Sequence, residues 1–433
     1  FLGVPDPERA LPPMDAEARQ RRLVAVVRRL VERGNPNGFV ILIEDLHWVD
    51  AASDAFVAEY VDAIANGPGL LLLNFRPEYR ADWMQKSWYQ QLPLNPLGAE
   101  AILQLLGDLL GTDASVDGLA DRIHERTEGN PYFTEEIVRS LVDSGALKGT
   151  RGAYRLTSPV QALEVPYSVQ AVLSARIDRL AEREKQVLQK AAVVGKQFTE
   201  PILCAVVQLP AAEFASSLAA LCNAEFIHQQ SLYPIAEYAF AHPLTQEVAL
   251  GSQLQEQRRK THAAVAHAIQ DAEPARLDEN AALLAHHYEE AGEVLEAARY
   301  HTRAATWAGT KDLDGTLRHW QRVRDLVRAL PENEEANGLR LLACYQILIV
   351  GGFRLGLSEA AVDELCEEGN QLAEHAGNPV LLVTLRAAYG ARLVGLGRVR
   401  EYYDLMMENL KVGDEIGFPA ARAGVRGAAA YAS

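Results

Sequence analysis

Two short, uninterrupted apolar runs near the N-terminus constrain the fold of this chain more than any other feature. The runs are FVILI at 39–43 and GLLLL at 69–73, and the segment 52–65 between them reads as a helix. Apolar runs of this length without polar alternation are typical of parallel strands covered on both faces, and parallel neighbours need a crossover connection such as a helix. The sequence therefore predicts a β-α-β unit whose sheet is covered on both faces.

Polar residues follow both predicted strands directly. Glu44 and Asp45 come after the first strand, and Asn74 and Arg76 follow the second. The carboxyl ends of parallel strands form the edge at which open α/β sheets bind ligands. Carboxylates in such a place need a counter-charge, and a Mg²⁺ ion that carries nucleotide phosphates suits them. The sequence thus predicts a nucleotide site at the ends of the two strands.

The two acids resemble the Walker B element of P-loop NTPases, in which one carboxylate reaches Mg²⁺ and the next orients or deprotonates the attacking water. We assign Glu44 to the metal, through water, and Asp45 to the attacking water. Many such ATPases have Asp before Glu, so the reversed order here leaves the two roles open. Arg76 fits a sensor of the γ-phosphate, and a surface ion pair with Glu78 or Asp82 is the alternative.

The phosphate-binding loop that should accompany these acids has no counterpart in the sequence. The pattern G-x-x-x-x-G-K-[ST] is absent, and Gly195-Lys196 in VVGKQF lacks the upstream glycine and the Ser or Thr. We therefore expect the chain to begin inside a nucleotide-binding domain and to hydrolyse ATP negligibly as it stands. His47 and Trp48 are interpreted as structural, one through hydrogen bonds and the other through packing. No second His or Cys stands at metal-ligand spacing from His47.

From about residue 97 the apolar spacing is helical, as it also is at 15–34. In EGNPYFTEEIVRSLVDSGAL, Asn130 is predicted to cap a helix in which Pro131 is the first residue. Three helices and a β-ribbon then predict a winged-helix domain over roughly 165–262. Beyond residue 280 the helices come in pairs, and Gly292 and Ala304 stand twelve residues apart, as small residues do in tetratricopeptide (TPR) repeats. The C-terminus is expected to be truncated, since no capping helix follows.

Charge and composition exclude several functions. The formal net charge is −16, and residues 165–262 contain nine Lys or Arg against nine Asp or Glu. The helix expected in the recognition position, AAEFASSLAALCNAEF, has no basic residue, which argues against nucleic-acid binding. No apolar run is long enough to span a membrane. The four cysteines form no C-x-x-C pair, which indicates a reducing, cytoplasmic location.

The order of these motifs resembles one family. The carrying segments are VILIEDLHWVDAAS, LLLNFRPEY, LPLNPLGAEAI, ERTEGNPYFTEEIVRSLVDSGAL, VPYSVQAVLSARIDRLAEREKQVLQKAAVVGKQF and YAFAHPLTQEVALGSQLQEQRRKTHAAVAHAI. They resemble the STAND-type, Orc1-like AAA ATPase module found downstream of class III adenylate/guanylate cyclase domains in bacterial signalling proteins. The resemblance covers about residues 15–310, and the pairing of EDLHW with EGNPYF is its specific part.

This resemblance implies a nucleotide-regulated switch with ATP and Mg²⁺ as ligands in the complete protein. It implies that Glu44 and Asp45 are the Walker B acids, that Arg76 is a sensor, and that Asn130 and Pro131 belong to a lid motif near the nucleotide. The expected fold is mainly α. The four expected domains are a partial P-loop NTPase sheet at 1–96, a helical lid at 97–160, a winged helix at 161–270 and TPR-like repeats at 271–433.

Partners are expected to be proteins that bind the repeats and the winged helix, with no membrane contact. Two alternatives stay open. One is the same module in a LuxR-type transcriptional regulator, which would have a helix-turn-helix beyond this sequence. The other is a non-enzymatic TPR scaffold in which the acids have lost their partner loop.

Overall fold

The computed structural model describes residues 38–65, 67–160, 168–231, 235–310, 312–331, 333–352 and 357–418, together with positions 22, 25, 26 and 29. The helix predicted over 15–34 therefore lies mostly outside the described residues, although these four positions are helical. The predicted truncation concerns residues beyond 418 and lies outside them as well. The chain divides into two compact units, Phe1–Pro93 with Ala308–Leu317 and Leu94–Trp307 with Arg318–Ser433.

The first unit contains the predicted β-α-β arrangement. Strand β1 (Phe39–Ile43) pairs in parallel with β2 (Gly69–Leu73), and helix α1 (Ala51–Ile64) connects them. Asp50 starts α1, because its Oδ1 accepts a 2.9 Å hydrogen bond from the Ser53 amide. This side-chain acceptor satisfies one of the amide groups that a helix leaves free at its N-terminus. The prediction of two parallel strands joined by a helix is confirmed.

The prediction that this sheet is covered on both faces is wrong for the part of the chain that the structure describes. Val40, Leu42, Leu70 and Leu72 are between 45% and 63% exposed. The opposite face packs into a small core. Its members are Ile43, Leu46, Val57, Val61, Leu71, Leu73 and Trp83. Helix α1 and the segment after β2 both contribute to this one core, so the second face has no apolar layer among the described residues.

The second unit begins with a helical segment, residues 94–160. It comprises α2 (Ala99–Leu110), α3 (Leu119–Thr127), α4 (Pro131–Asp143) and the antiparallel hairpin of β3 (Leu147–Thr150) and β4 (Ala153–Leu156). Its core is built from one face of each helix, with Ile102, Leu106, Leu119, Ile123, Phe133, Ile137 and Leu141 buried together.

A middle segment, residues 168–251, follows with five helices and a small sheet. Its elements are α5 (Val169–Asp178), α6 (Glu182–Val194), β5 (Gln197–Thr199), α7 (Glu200–Val207), α8 (Ala211–Asn223), β6 (Ile227–Ser231), β7 (Glu237–Phe240) and α9 (Pro243–Gly251). The three strands form an antiparallel sheet in the order β5-β7-β6. The sequence predicted three of the five helices (α5, α6 and α8) and the ribbon of β6 and β7, and it missed α7, α9 and the three-residue strand β5.

The rest of the second unit is helical, so the chain as described is mainly α, as predicted. The helices are α10 (Gln255–Ala272), α11 (Ala281–Ala291), α12 (Val294–Ala308), α13 (Leu313–Arg328), α14 (Glu334–Ile347), α15 (Glu359–His375), α16 (Pro379–Gly395) and α17 (Val399–Glu415). The first residues of α13 belong to the first unit. Contacts between consecutive helices, such as α10 with α11 and α16 with α17, dominate the packing. This is the α-helical repeat arrangement that the sequence predicted.

The glycines of the predicted repeat lie in turns between helices. Gly292 ends α11 with φ 82°, and Gly397 takes φ 76° before α17. Glycine adopts this left-handed conformation without the Cβ clash that other residues suffer. These glycines therefore make turns between consecutive helices. The positions twelve residues later, Ala304 and Asn409, are both buried, at 4% and 1% exposure.

Among the described residues no single helix has the length and apolar character to cross a membrane. One pair of helices, α7 and α8, passes that test only when taken together, and it is bent by 116°.

Two pairs of histidines connect neighbouring helices of the second unit. His262 on α10 and His287 on α11 are 5% and 1% exposed, and their Nδ1 atoms lie 3.0 Å apart. His301 on α12 and His319 on α13 make the same contact at 2.9 Å. Such a hydrogen bond needs one neutral ring that donates its N–H and one that accepts it. Burial and the neighbouring histidines lower the pKa of His262 to about 4 and that of His287 to about 3.

These two lowered pKa values predict acid sensitivity in the second unit. The unfolded chain binds protons on both histidines near pH 6.5, whereas the folded chain binds them only near the lowered values. Stability is therefore fully present above pH 6.5 and is lost as the pH falls. The unfolding free energy should drop by about 5 kcal/mol between pH 6.5 and pH 4, with roughly half from each histidine, because one pKa unit corresponds to about 1.4 kcal/mol. Urea denaturation at both pH values measures it.

A matched pair of variants isolates the buried histidines. The double variant His262→Gln and His287→Gln should flatten the pH dependence. His375→Gln should keep the wild-type pH dependence, because His375 is exposed at the end of α15. An unchanged pH slope in the double variant would contradict this origin of the acid sensitivity.

Candidate functional site

Asn74 organises the edge at which β1 and β2 end. Its Oδ1 accepts a 2.6 Å hydrogen bond from the Asp45 amide, and its Nδ2 lies 3.4 Å from Glu44 Oε1. Its backbone continues the strand pairing, because its amide donates to the Ile43 carbonyl at 3.1 Å and its carbonyl accepts from Leu46 at 2.9 Å. The structure therefore brings the polar ends of both strands together, as the parallel pairing predicts.

Asp45 has an unusual backbone conformation. Its φ of 54° and ψ of 38° place it in the left-handed region, just before a short 3-10 helix over Leu46–Trp48. Non-glycine residues avoid this region, and Asp and Asn tolerate it best. The turn points the chain away from β1, and both Glu44 and Asp45 are exposed. Their carboxylates thus stand at the open edge of the sheet.

Arg76 lies on the same edge, over the indole of Trp48. Its guanidinium carbon is 5.8 Å from the ring centroid, within the range of a cation–π contact. Trp48 is 46% exposed, so it does not pack in the core, and its ring centroid lies 4.6 Å from that of His47. Both ring nitrogens of His47 are buried, and neither has a hydrogen-bond partner among the described residues. His47 therefore lacks, among the described residues, the hydrogen bonds predicted for it, whereas Trp48 packs at the surface between His47 and Arg76.

The donor set at this edge fits Mg²⁺ in its chemistry. Glu44 and Asp45 offer carboxylate oxygens, the hard donors that Mg²⁺ prefers, and Mg²⁺ commonly binds one or two carboxylates with water and phosphate completing its shell. Among the described residues no group of three or more His, Cys, Asp or Glu is arranged to hold a metal ion. A metal at this edge would therefore take its remaining ligands from water and from a bound phosphate.

Asn130 and Pro131 belong to the second unit, where both have a structural use. The Asn130 side chain accepts a 3.0 Å hydrogen bond from the Phe133 amide, which caps α4, and Pro131 occupies the first turn. Gly129, just before them, has φ 83°, and a Cβ there would lie 2.3 Å from the Leu97 carbonyl oxygen. Cap and turn geometry thus accounts for Gly129, Asn130 and Pro131 together. The predicted helix start is confirmed.

Sequence reasoning missed a pair of buried charges beside this motif. Glu136 on α4 is 1% exposed and Arg176 on α5 is 3% exposed, and Arg176 Nη1 lies 2.5 Å from Glu136 Oε2. The two residues are 40 positions apart in the chain, so no local pattern in the sequence indicates the pair.

Comparison with known proteins gives a curated relative and several similar solved structures. No protein-family model matches this chain. An uncharacterized protein of Rhizobium meliloti (strain 1021) is 26% identical over 376 residues, which are 82% of this chain and 34% of that protein. The chain thus spans about a third of the length of the curated relative it matches.

One of the similar structures is the crystal structure of a Signal Transduction ATPase with Numerous Domains (STAND) protein with a tetratricopeptide repeat sensor, from Pyrococcus horikoshii. The alignment has a TM-score of 0.40 and 10% identity, and it covers 95% of this chain and 68% of that one. A TM-score of this size does not establish a common fold.

The left-handed backbone at Asp45 predicts which substitutions the turn tolerates. Asp45→Ala should raise hydrogen exchange in peptides covering 39–48 about fivefold, since a left-handed alanine costs on the order of 1 kcal/mol. Asp45→Gly and Asp45→Asn should leave that exchange close to wild type. If all three variants exchange alike, backbone conformation is not what Asp45 supplies. With the expected result, Asp45→Asn is the variant that removes the charge of Asp45 without disturbing the turn.

The cap at Asn130 gives a second prediction. Asn130→Ala should weaken α4 by about 1 kcal/mol, whereas Asn130→Ser and Asn130→Asp should keep most of the cap. Hydrogen exchange of peptides from 131–143 measures the difference. Equal protection in the Ala and Ser variants would show that the side-chain hydrogen bond does not stabilise the helix.

Proposed function

We propose that this chain is the regulatory part of a STAND-type nucleotide switch in a multidomain signalling protein. The observation that carries the proposal is that Glu44 and Asp45, both bonded to Asn74, and Arg76, which lies over Trp48, follow the ends of two parallel strands. Two carboxylates and a guanidinium within one exposed edge form a set that Mg²⁺ and nucleotide phosphates satisfy.

In this proposal each side chain has a defined task. Glu44 binds Mg²⁺ through water, and Asp45 orients the attacking water. Arg76 senses the γ-phosphate, and its stacking on Trp48 holds the guanidinium at the edge without neutralising its charge. Asn130 and Pro131, in the lid motif, are proposed as further nucleotide-binding residues, at a helix N-terminus that carries a partial positive charge.

The phosphate-binding loop is the element that this sequence does not supply, since G-x-x-x-x-G-K-[ST] is absent. We propose that it lies in another part of the same polypeptide, together with an adenylate or guanylate cyclase domain upstream. The middle segment, with α6 to α8 and the sheet of β5–β7, is proposed to be a winged helix that binds protein rather than DNA, because α8 has no basic residue. The helices beyond it are proposed to bind protein partners as TPR-like repeats, in the cytoplasm.

A non-enzymatic scaffold is the second candidate, and the absent loop motif is the observation that favours it. In a scaffold the exposed acids at the sheet edge have no ligand, and the helical repeats carry the whole function. A LuxR-type regulator would contain the same module, and a DNA-binding helix-turn-helix in the complete protein would distinguish it from the cyclase-linked form.

Calorimetric titration with ATP and Mg²⁺ tests the switch. This chain should show no measurable heat of binding, whereas a longer polypeptide from the same gene that includes the phosphate loop should bind ATP. In that polypeptide Asp45→Asn should keep binding and reduce hydrolysis by 100-fold or more, and Glu44→Gln should raise the Mg²⁺ concentration needed for hydrolysis. The reverse pattern would exchange the two roles.

Two outcomes contradict parts of the proposal. Tight binding of ATP by this chain would show that its site is complete without the loop. If no longer polypeptide binds ATP, the non-enzymatic scaffold is the function that remains. Glu78→Gln is the matched control, because it removes a nearby exposed acid to which the proposed switch gives no role.

A further inference from the structure

Helix α4 has two faces of different chemistry. Phe133, Ile137 and Leu141 point into the core of the helical segment. The other face consists of polar positions spaced by four, three, one and three residues, which places them in one stripe along the helix. The stripe comprises Tyr132, Glu136, Arg139, Ser140 and Asp143. Each of the five contacts a residue of the middle segment.

Arg176 is the centre of these contacts. Besides Glu136 at 2.5 Å, its Nε donates to Asp143 Oδ2 at 2.8 Å and its Nη2 donates to the Ala224 carbonyl at 2.8 Å. Its guanidinium also lies 4.7 Å from the ring centroid of Phe226. Burial would lower the pKa of Arg176, but Glu136 and Asp143 outweigh burial and raise it, so the guanidinium stays charged. One side chain thus connects α4, α5 and the turn after α8.

The remaining members of the stripe extend this contact along the whole helix. Arg139 bonds Glu136 at 2.7 Å and also pairs with Glu225 of the turn after α8. Ser140 Oγ accepts from Arg179 at 3.2 Å. At the N-terminal end the ring of Tyr132 stacks on His242, with centroids 3.9 Å apart and planes at 14°, and its hydroxyl lies 3.2 Å from Thr245 Oγ1.

Buried charges of this kind cost free energy unless they are paired, and removing one partner leaves the other uncompensated. Separation of α4 from the middle segment would deprive both Glu136 and Arg176 of their charged partner. A cleft of about 300 Å³ borders the contact and is lined in part by Arg139, Asp143, Arg176 and Glu225. These four groups are already paired in the stripe, so the cleft is the margin of the contact and not a separate ligand site.

We propose that this ionic joint, centred on Arg176 and Glu136, fuses the helical segment to the middle segment, so that the two open and unfold as one body rather than as hinged domains. The segment that carries Asn130 and Pro131 then cannot reorient without the middle segment. This consequence for the lid motif rests on the proposed function as a switch. Its test uses no nucleotide, so the joint and the switch can fail separately.

Native-state hydrogen exchange of the full chain tests the joint. In the wild type, peptides from α4 and from α5 should share one slow opening rate. Arg176→Met should separate the two segments and speed exchange in α4 by 100-fold or more. The matched control is Arg183→Met, because Arg183 pairs with Glu184 and Glu213 but is 42% exposed, and it should exchange like the wild type.

A milder variant keeps the test valid if Arg176→Met does not fold. Glu136→Gln retains the size of the side chain and one acceptor but removes the charge, and it should speed exchange in both segments by at least tenfold. Wild-type exchange in Glu136→Gln or in Arg176→Met would overturn the proposal. So would a wild-type protein in which α4 and α5 already open at different rates.

Discussion

A carboxylate and a guanidinium out of contact with water, Glu136 and Arg176, set the arrangement of the helices around them. An unpaired buried charge is expensive, and a pair is tolerated only when its remaining hydrogen-bond positions are also filled. Arg176 also donates hydrogen bonds to Asp143 and to the Ala224 carbonyl, and the second carboxylate oxygen of Glu136 accepts one from Arg139. The helix ends that supply these partners must therefore stand where they do, which fixes α4, α5 and the turn after α8 against one another.

The edge of the parallel strands follows a different logic, because its charges are exposed. Among the described residues no buried charge pairs with Glu44 or Asp45, and Asn74 holds the Asp45 backbone through an amide hydrogen bond and not through charge. Such an arrangement leaves the carboxylates available to a ligand while fixing their position. The two sites thus use the same residue types for opposite purposes: buried acids hold segments together, and exposed acids remain available for binding.

The sequence predicted features that depend on local periodicity and missed those that depend on packing between elements. The apolar runs at 39–43 and 69–73 and the cap at Asn130 were predictable, because strand period and capping act within a few residues. The exposure of Val40 and Leu72 was not, because it depends on which elements cover a face. The contact of His262 with His287 and that of Glu136 with Arg176 join residues 25 and 40 positions apart, and neither spacing indicates a pair.

The motif EGNPYF shows how far a resemblance in sequence reaches toward function. Gly129 is required where a Cβ would strike the Leu97 carbonyl, Asn130 caps α4, and Pro131 suits the first turn. Tyr132 stacks on His242 of the middle segment. Every residue from Gly129 to Tyr132 therefore has a stereochemical reason to be present that involves no ligand. A nucleotide contact for Asn130 or Pro131 must then be demonstrated with variants that preserve the cap, since loss of α4 alone would imitate loss of a ligand contact.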